Sequence, residues 1–379
     1  RARLKTLVIN KGTVGGLVNT TRELVNYPGY QQVTGPELME DFKKHAQFFG
    51  VDFLKDEVVQ VDFNGEEIKT KKGKEFKAKA VIIACGSEPR LLNIPGEKRL
   101  RGSGVAYCAT CDAEFFEGED VVVVGSGDQA IEEGMFITKF ARKVTVIVLH
   151  DEGILDCNKV SAERAFQNEK MEFIWNSTIE EVLGEDSVEG VKIKNLKTGQ
   201  STEMPCQGVF FFVGMVPSTG FLKDSGIEMD HKGYIKVNEM METNIEGVYA
   251  AGDNRVKYLR QVVTSAGDGA TAAVAAERYI EELNSFKENV LESEKKVLLL
   301  FFNAQNNESL EFSTLLEEAN NDCGEVYKIV KVDLATKKTL AQKYAVDKAP
   351  AVIVLDKGEV VKRLECVLDK EKVKTQLCC

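Results

Sequence analysis

Two cysteines with two residues between them, and an acid directly after the second, stand at Cys108, Cys111 and Asp112 in "YCATCDAEFF" (107–116). A Cys-x-x-Cys turn is short enough to close a reducible disulfide, and a neighbouring carboxyl can manage the thiol proton. The same pair can also be half of a zinc site, or buried packing. Zinc needs a second cysteine or histidine pair at ligand spacing, and the sequence has none. The only other close pair is Cys378 and Cys379 at the tail. Adjacent cysteines can close a strained eight-membered ring as a shuttle, but a frayed end with two free thiols is the simpler expectation. Cys85, Cys157, Cys206, Cys323 and Cys366 are isolated in sequence.

A redox turn needs a scaffold, and the residues downstream describe one. "VVVVGSGDQA" is a buried strand running into Gly125-x-Gly127-x-x-Ala130 and a helix, expected over Ile131–Phe140. Gly125 permits the tight turn, Gly127 lets a pyrophosphate approach the backbone, and small Ala130 lets helix and strand pack. The next strand, "KVTVIV", ends with Val148 where a ribose-binding acid would stand. No arginine for a 2′-phosphate follows before Arg164. Further on, "GVYAAGDN" (247–254) puts Asp253 at a strand end, ahead of a helix of small residues expected over Thr264–Glu282. A carboxylate there suits a ribityl or ribose hydroxyl, and the helix start can stabilise negative charge.

These blocks, in this order, resemble the low-molecular-weight thioredoxin reductases, a class of FAD-dependent pyridine nucleotide-disulfide oxidoreductases. The resemblance runs from residue 1 to about Leu283 on "GGLVNTT" (15–21), "NYPGY" (26–30), "CGSEPR" (85–90), "IPGE" (94–97), "YCATCD", "GSGDQAIEEG" (125–134), "GMVPST" (214–219) and "GVYAAGDNRVKYLRQVVTSAGDGATAA" (247–273). It implies an α/β fold of two Rossmann-like dinucleotide-binding domains, one inserted in the other. It also implies non-covalent FAD, a homodimer, and thioredoxin or a thioredoxin-like protein as partner. FAD would be held by Gly15, Gly16, Asn26, Gly86, Asp253, Arg260, Gln261 and Val262. Cys111 would exchange electrons with the flavin, Cys108 would attack the partner disulfide, and Asp112 would handle the proton. Gly125, Gly127 and Ala130 would face a pyridine nucleotide.

The chain departs from the family in three places. The first strand and Gly-rich loop of the FAD domain are expected before residue 1, in roughly 20 further residues, and Asn10 stands where the second strand usually ends in an acid. The family's NADPH signature is replaced by "VLH" (148–150) and "DEGIL". A 2′-phosphate would find no arginine and an NAD ribose no acid, so NAD(P)H is disfavoured and ferredoxin, the donor of related flavin enzymes, becomes the competing source. Residues 297–379 resemble thioredoxin in strand and helix order, with Pro350 at the family's cis-proline, yet "QNNES" (305–309) stands where the two cysteines belong. That unit is expected to serve as a docking or dimer-covering module.

The expected domains are 1–90 and 214–283 for FAD, 91–213 for the nucleotide-type domain with the disulfide, 284–296 as linker, and 297–379. Hinges are expected near 88–92 and 213–217, because the family mechanism rotates the inserted domain. A net charge of −11 argues against nucleic acid and anionic membranes. The longest apolar runs, Val209–Val213 and Val297–Phe302, are strand-sized. Without a secretory signal in the sequence, the expected location is cytoplasmic. A dithiol oxidase of the same fold and a redox-inactive binding homologue are the competing functional readings.

Overall fold

The computed structural model describes residues 2–378 except 22, 23, 25, 64 and 66. Two units emerge, Arg1–Ala273 and Val274–Cys379.

The first unit begins with β1 (Leu7–Asn10), α1 (Gly35–Phe48) and β2 (Asp52–Lys55), with β1 and β2 paired in parallel. Thr34 starts α1 through a capping box. Its hydroxyl accepts from the Glu37 amide at 3.3 Å, while the Glu37 carboxylate accepts from the Thr34 amide at 3.1 Å. An antiparallel sheet of β3 (Val58–Asp62), β4 (Glu67–Thr70) and β5 (Glu75–Lys77) follows. Next come β6 (Val81–Ile83) and β7 (Ser87–Pro89).

The chain then enters a nucleotide-type domain. In order it contains β8 (Val105–Ala106), α2 (Ala109–Asp112), β9 (Asp120–Val124), α3 (Asp128–Ile137), β10 (Lys143–Ile147), α4 (Lys159–Phe166) and β11 (Met171–Ile174). After them run β12 (Ser177–Leu183), β13 (Gly190–Asn195), β14 (Ser201–Pro205) and β15 (Gly208–Phe211). Strands β11-β10-β9-β15-β8 form one parallel sheet, and β12-β13-β14 an antiparallel one. Valines 121–124 are buried on both faces, as expected of a central parallel strand. One face carries Val121, Val123, Ile131 and Phe210, the other Val122, Val124, Ile179 and Phe211. Helix α3 starts three residues before the expected Ile131, because Gly127 takes the N-cap position. The chain leaves through β16 (Met215–Pro217), which pairs antiparallel with β7, so entry and exit strands lie side by side. Arg90 N–H donates to the Gly214 carbonyl beside them at 2.9 Å. Strand β17 (Val248–Ala250) pairs with β6, and α5 (Val262–Phe286) begins after it. Of the strands expected across 233–255, β17 is the one formed; the others shrink to isolated bridges such as Met229–Ile235 and Glu242–Tyr249.

The second unit contains β18 (Val297–Phe302), α6 (Asn307–Asp322), β19 (Lys328–Asp333), α7 (Lys338–Lys343), β20 (Ala351–Asp356), β21 (Glu359–Leu364) and α8 (Lys370–Cys378). Its sheet runs β19-β18-β20-β21, and the Ala349–Pro350 bond is cis. The stretch 284–296, expected as a linker, is helical to Leu291, and Phe286, Val290 and Leu291 join this unit's core with Phe301 and Tyr344. Its charged composition hid three apolar residues spaced to face one way.

The tail corrects an expectation. Cys378 is not half of a vicinal pair or a free thiol; it is bonded to Cys323, 55 residues away, joining the ends of α6 and α8. Leu377 is buried beside it, which fixes the helix end instead of letting it fray. Cys379 lies outside the described residues. Among the described residues no helix is long and apolar enough to cross a membrane.

Candidate active site

Cys108 and Cys111 form a disulfide, with Cα atoms 5.3 Å apart. Cys108 is the N-cap of α2 and Cys111 its third residue, so the bond spans a single helical turn. The turn is held from two sides. From below, Glu133 on α3 accepts the Ala109 amide at 3.1 Å and also the amide of Thr110. From the flavin-type domain, Gln261 Nε2 donates to Thr110 Oγ1 at 3.2 Å, and Asn26 Nδ2 donates to Gln261 Oε1 at 3.0 Å. The amide of Gln261 is thereby oriented. Thr110 Oγ1 lies 3.4 Å from Cys108 Sγ, and because it accepts from Gln261 its own proton is available to sulfur. The chain Asn26, Gln261, Thr110, Cys108 joins two expected flavin residues to the expected attacking sulfur. Thr110 and Glu133 were not singled out in the sequence; Thr110's place between the two cysteines was the available signal.

The other expected flavin residues collect around β17 and the start of α5. Asp253 is half-buried, accepts Ser265 Oγ at 3.1 Å, and is lifted above the usual carboxylate range by burial. Arg260 stacks 4.3 Å over the Tyr234 ring, and its buried Nε has no hydrogen-bond partner among the described residues. Val262 opens α5 and leaves first-turn amides free of helical partners. Gly16 and Gly86 have positive φ and open space where a Cβ would sit. Gly15 is different: a Cβ there would lie 2.4 Å from Met39, so this glycine serves close packing on α1. An orphaned guanidinium nitrogen, a carboxylate with one hydroxyl partner and open glycine backbone fit a group with phosphates and sugar hydroxyls.

Asp268, absent from the sequence argument, organises this loop. It accepts from Gly252 N–H at 3.0 Å and from Arg255 and Lys257 at 2.6–2.8 Å. Burial raises its carboxyl, but the two cations and the amide outweigh that and bring it down to about 2.

The glycine turn of β9–α3 is built differently. Gly125 is required by its backbone, with φ 130° and the Phe212 carbonyl 2.6 Å from a would-be Cβ. Ala130 is fully buried and packs against it. Gly127 is open, but the segment 150–158 is bonded across the turn. Ser126 Oγ donates to Asp156 Oδ2 at 2.7 Å, and the Asp156 amide donates to the Ser126 carbonyl at 2.9 Å. Gly127 and Asp156 form a bridge, and Asn158 donates twice to Asp128 Oδ1. His150 Nε2 lies 2.7 Å from Asp156 Oδ2. Hydrogen bonds from Ser126 and His150 hold Asp156 below the usual carboxylate range, and those from Asn158 do the same for Asp128. Two carboxylates kept anionic at a phosphate-binding turn do not fit a pyrophosphate.

Residues 2–270 match the model of the pyridine nucleotide-disulphide oxidoreductases. The chain belongs to that family. Residues 278–378 match the thioredoxin model, so the second unit is a thioredoxin domain. This pyridine nucleotide-disulphide oxidoreductase is 49% identical over 292 residues to the thioredoxin reductase of Peptoclostridium litorale, covering 75% of this chain and 91% of the relative. It is 44% identical to that of Bacillus subtilis, covering 75% and 89%. Among solved structures, the thioredoxin reductase of Streptococcus pyogenes matches with a TM-score of 0.67 at 42% identity, over 73% of this chain and 90% of that one. The one from Giardia duodenalis matches at 0.67 and 34%, over 74% and 93%. The protein is an oxidoreductase of the thioredoxin-reductase type fused to a thioredoxin domain, in a family that uses a flavin and a pyridine nucleotide.

Proposed function

We propose that this protein reduces the disulfide of thioredoxin or a thioredoxin-like protein, with FAD beside Cys111 and with reduced ferredoxin, not NADPH or NADH, as electron source. The observation behind the donor assignment is the Asp156–Ser126 clasp over the glycine turn. A dinucleotide pyrophosphate would have to displace it against two carboxylates, with no arginine to compensate.

Asn26, Gly16, Gly86, Asp253, Arg260, Gln261 and the first turn of α5 would hold FAD, whose bound form supplies the electron pair that opens the Cys108–Cys111 bond. The chain's own residues then perform thiol–disulfide exchange. The Cys108 thiolate attacks one sulfur of the partner disulfide, forming a mixed disulfide and releasing one partner thiolate. The Cys111 thiolate next attacks Cys108 Sγ, restoring the 108–111 bond and releasing the second partner thiolate. Asp112 serves as proton carrier. Two electrons and two protons leave with the partner.

The Gln261–Thr110 contact supports an arrangement in which the disulfide faces the flavin side. To meet a partner, the 91–213 domain would turn about the β7–β16 ribbon, the paired entry and exit of that domain. Gly214, with φ 101°, lies at its end. We assign the protein to the cytoplasm and to a homodimer, as for the family resemblance.

The deciding experiment is anaerobic reduction of the flavin-loaded protein by NADPH, NADH and reduced ferredoxin, read at the flavin band. Bleaching by ferredoxin alone supports the assignment. Rapid bleaching by either nucleotide overturns the donor, and a protein that takes up no FAD overturns the flavin mechanism.

A further inference from the structure

Beneath the redox turn lies a half-buried acid that the exchange chemistry does not use. Glu133 sits on α3, which packs against α2, and its carboxylate takes the Ala109 and Thr110 amides. These are the first two N–H groups of α2, the donors from which a thiolate at the N-cap, Cys108, would otherwise draw stabilisation. Burial lifts the Glu133 carboxyl, while the two amides favour its anion. Glu132, also on α3, adds negative charge and binds Ser161 of α4, and Asp112 follows Cys111 on the turn itself. Among the described residues, the Thr110 hydroxyl is the donor beside Cys108 Sγ.

We propose that Glu133 is a positioning residue that sets the reducing strength of the Cys108/Cys111 pair, by taking the turn's amide donors and placing an anion beneath it. Stabilising a thiolate at such a turn makes the dithiol more stable and the disulfide a stronger oxidant. Withholding amides and adding negative charge does the reverse, and makes the dithiol a better electron donor. A reductase that must hand electrons onward needs that bias. The proposal rests on Cys108/Cys111 being the working pair, but its test needs neither flavin nor partner.

Full-length wild type, Glu133→Gln and Glu133→Asp are equilibrated anaerobically at pH 8 in dithiothreitol buffers of graded redox ratio. The 107–116 peptide is then scored for free thiols by alkylation and mass spectrometry. Glu133→Gln keeps the shape and removes the charge. Its pair should be reduced at about a tenfold lower ratio of dithiol to disulfide, a shift of about 30 mV toward stronger oxidant. Cys108 should also alkylate several-fold faster. Glu133→Asp keeps the charge and should stay within threefold of wild type. The Cys323–Cys378 bond, in the other unit, serves as internal reference and should not move. An unchanged equilibrium in Glu133→Gln, or an equal shift in Glu133→Asp, would overturn the proposal. The exchange mechanism fails separately, if wild-type Cys108 and Cys111 do not open and close reversibly in these buffers.

Discussion

Two disulfides stand among the described residues, and they are made by opposite rules. Cys108–Cys111 closes one turn at the start of α2, with a hydroxyl 3.4 Å from Cys108 Sγ and a side-chain relay that reaches this hydroxyl from Asn26 through Gln261. Cys323–Cys378 closes 55 residues and joins two helix C-terminal ends. The carbonyl end of a helix disfavours a thiolate, and so does Asp322 beside Cys323, although Lys370 and Lys374 pair with that acid. Under the proposed function the first bond is the one that opens, and the surroundings of the second disfavour opening. Position relative to a helix separates the two roles more clearly than sequence spacing does.

The largest expected effect breaks this comparison cleanly. Cys108→Ser should reduce thioredoxin-disulfide turnover to background while leaving the fold intact, whereas Cys378→Ser should keep turnover within about twofold. Turnover surviving in Cys108→Ser would remove the assigned nucleophile. For the staple the cost is stability. Loop-entropy arithmetic for a 55-residue closure gives about 4 kcal/mol, readable by hydrogen exchange of peptides from 274–379 in Cys378→Ser.

The third effect lies in the flavin-side loop. Asp268→Asn leaves Arg255 and Lys257 without their buried partner and should cost about 3 kcal/mol at neutral pH. Because the folded carboxyl is depressed to about 2, its contribution is complete above the unfolded value near 4 and fades as pH falls toward 2. The gap between wild type and variant, followed by exchange in peptides from 248–273, should therefore close on acidification from pH 4. A gap that widens instead would show that the carboxylate is not the stabilising form. Smallest is Thr110→Val, which removes the hydroxyl beside Cys108. A loss of about 1 kcal/mol, roughly fivefold in turnover, is expected. An unchanged rate would mean that the relay from Gln261 ends at the backbone.

Much of this was legible because it is local. The strand–glycine–helix of 120–137 announces itself through consecutive valines and the Gly-x-Gly turn. The thioredoxin-type order of 297–378 follows from alternating apolar strands and capped helices, with Asn306 accepting the Ser309 amide at 3.0 Å to start α6. The partner of Cys378 was not legible. Cys323 looks isolated until α6 and α8 pack side by side, and pairing across 55 residues is a tertiary fact. Asp268 was hidden for the same reason: in sequence it is one acid between two glycines, and its role appears when Gly252, Arg255 and Lys257 fold back onto it. The missing arginines after β10 were visible as an absence. That Asp156 reaches back thirty residues to Ser126 needed the fold.

The Asp156–Ser126 clasp has an engineering consequence. If the glycine turn is stoppered by its own chain, the input side of this reductase is a replaceable part, specified by residues 148–158 and separate in sequence from the turn that delivers electrons. Rewiring the enzyme to another fuel is then a problem of rewriting one loop, with the output terminals at Cys108 and Cys111 left as they are.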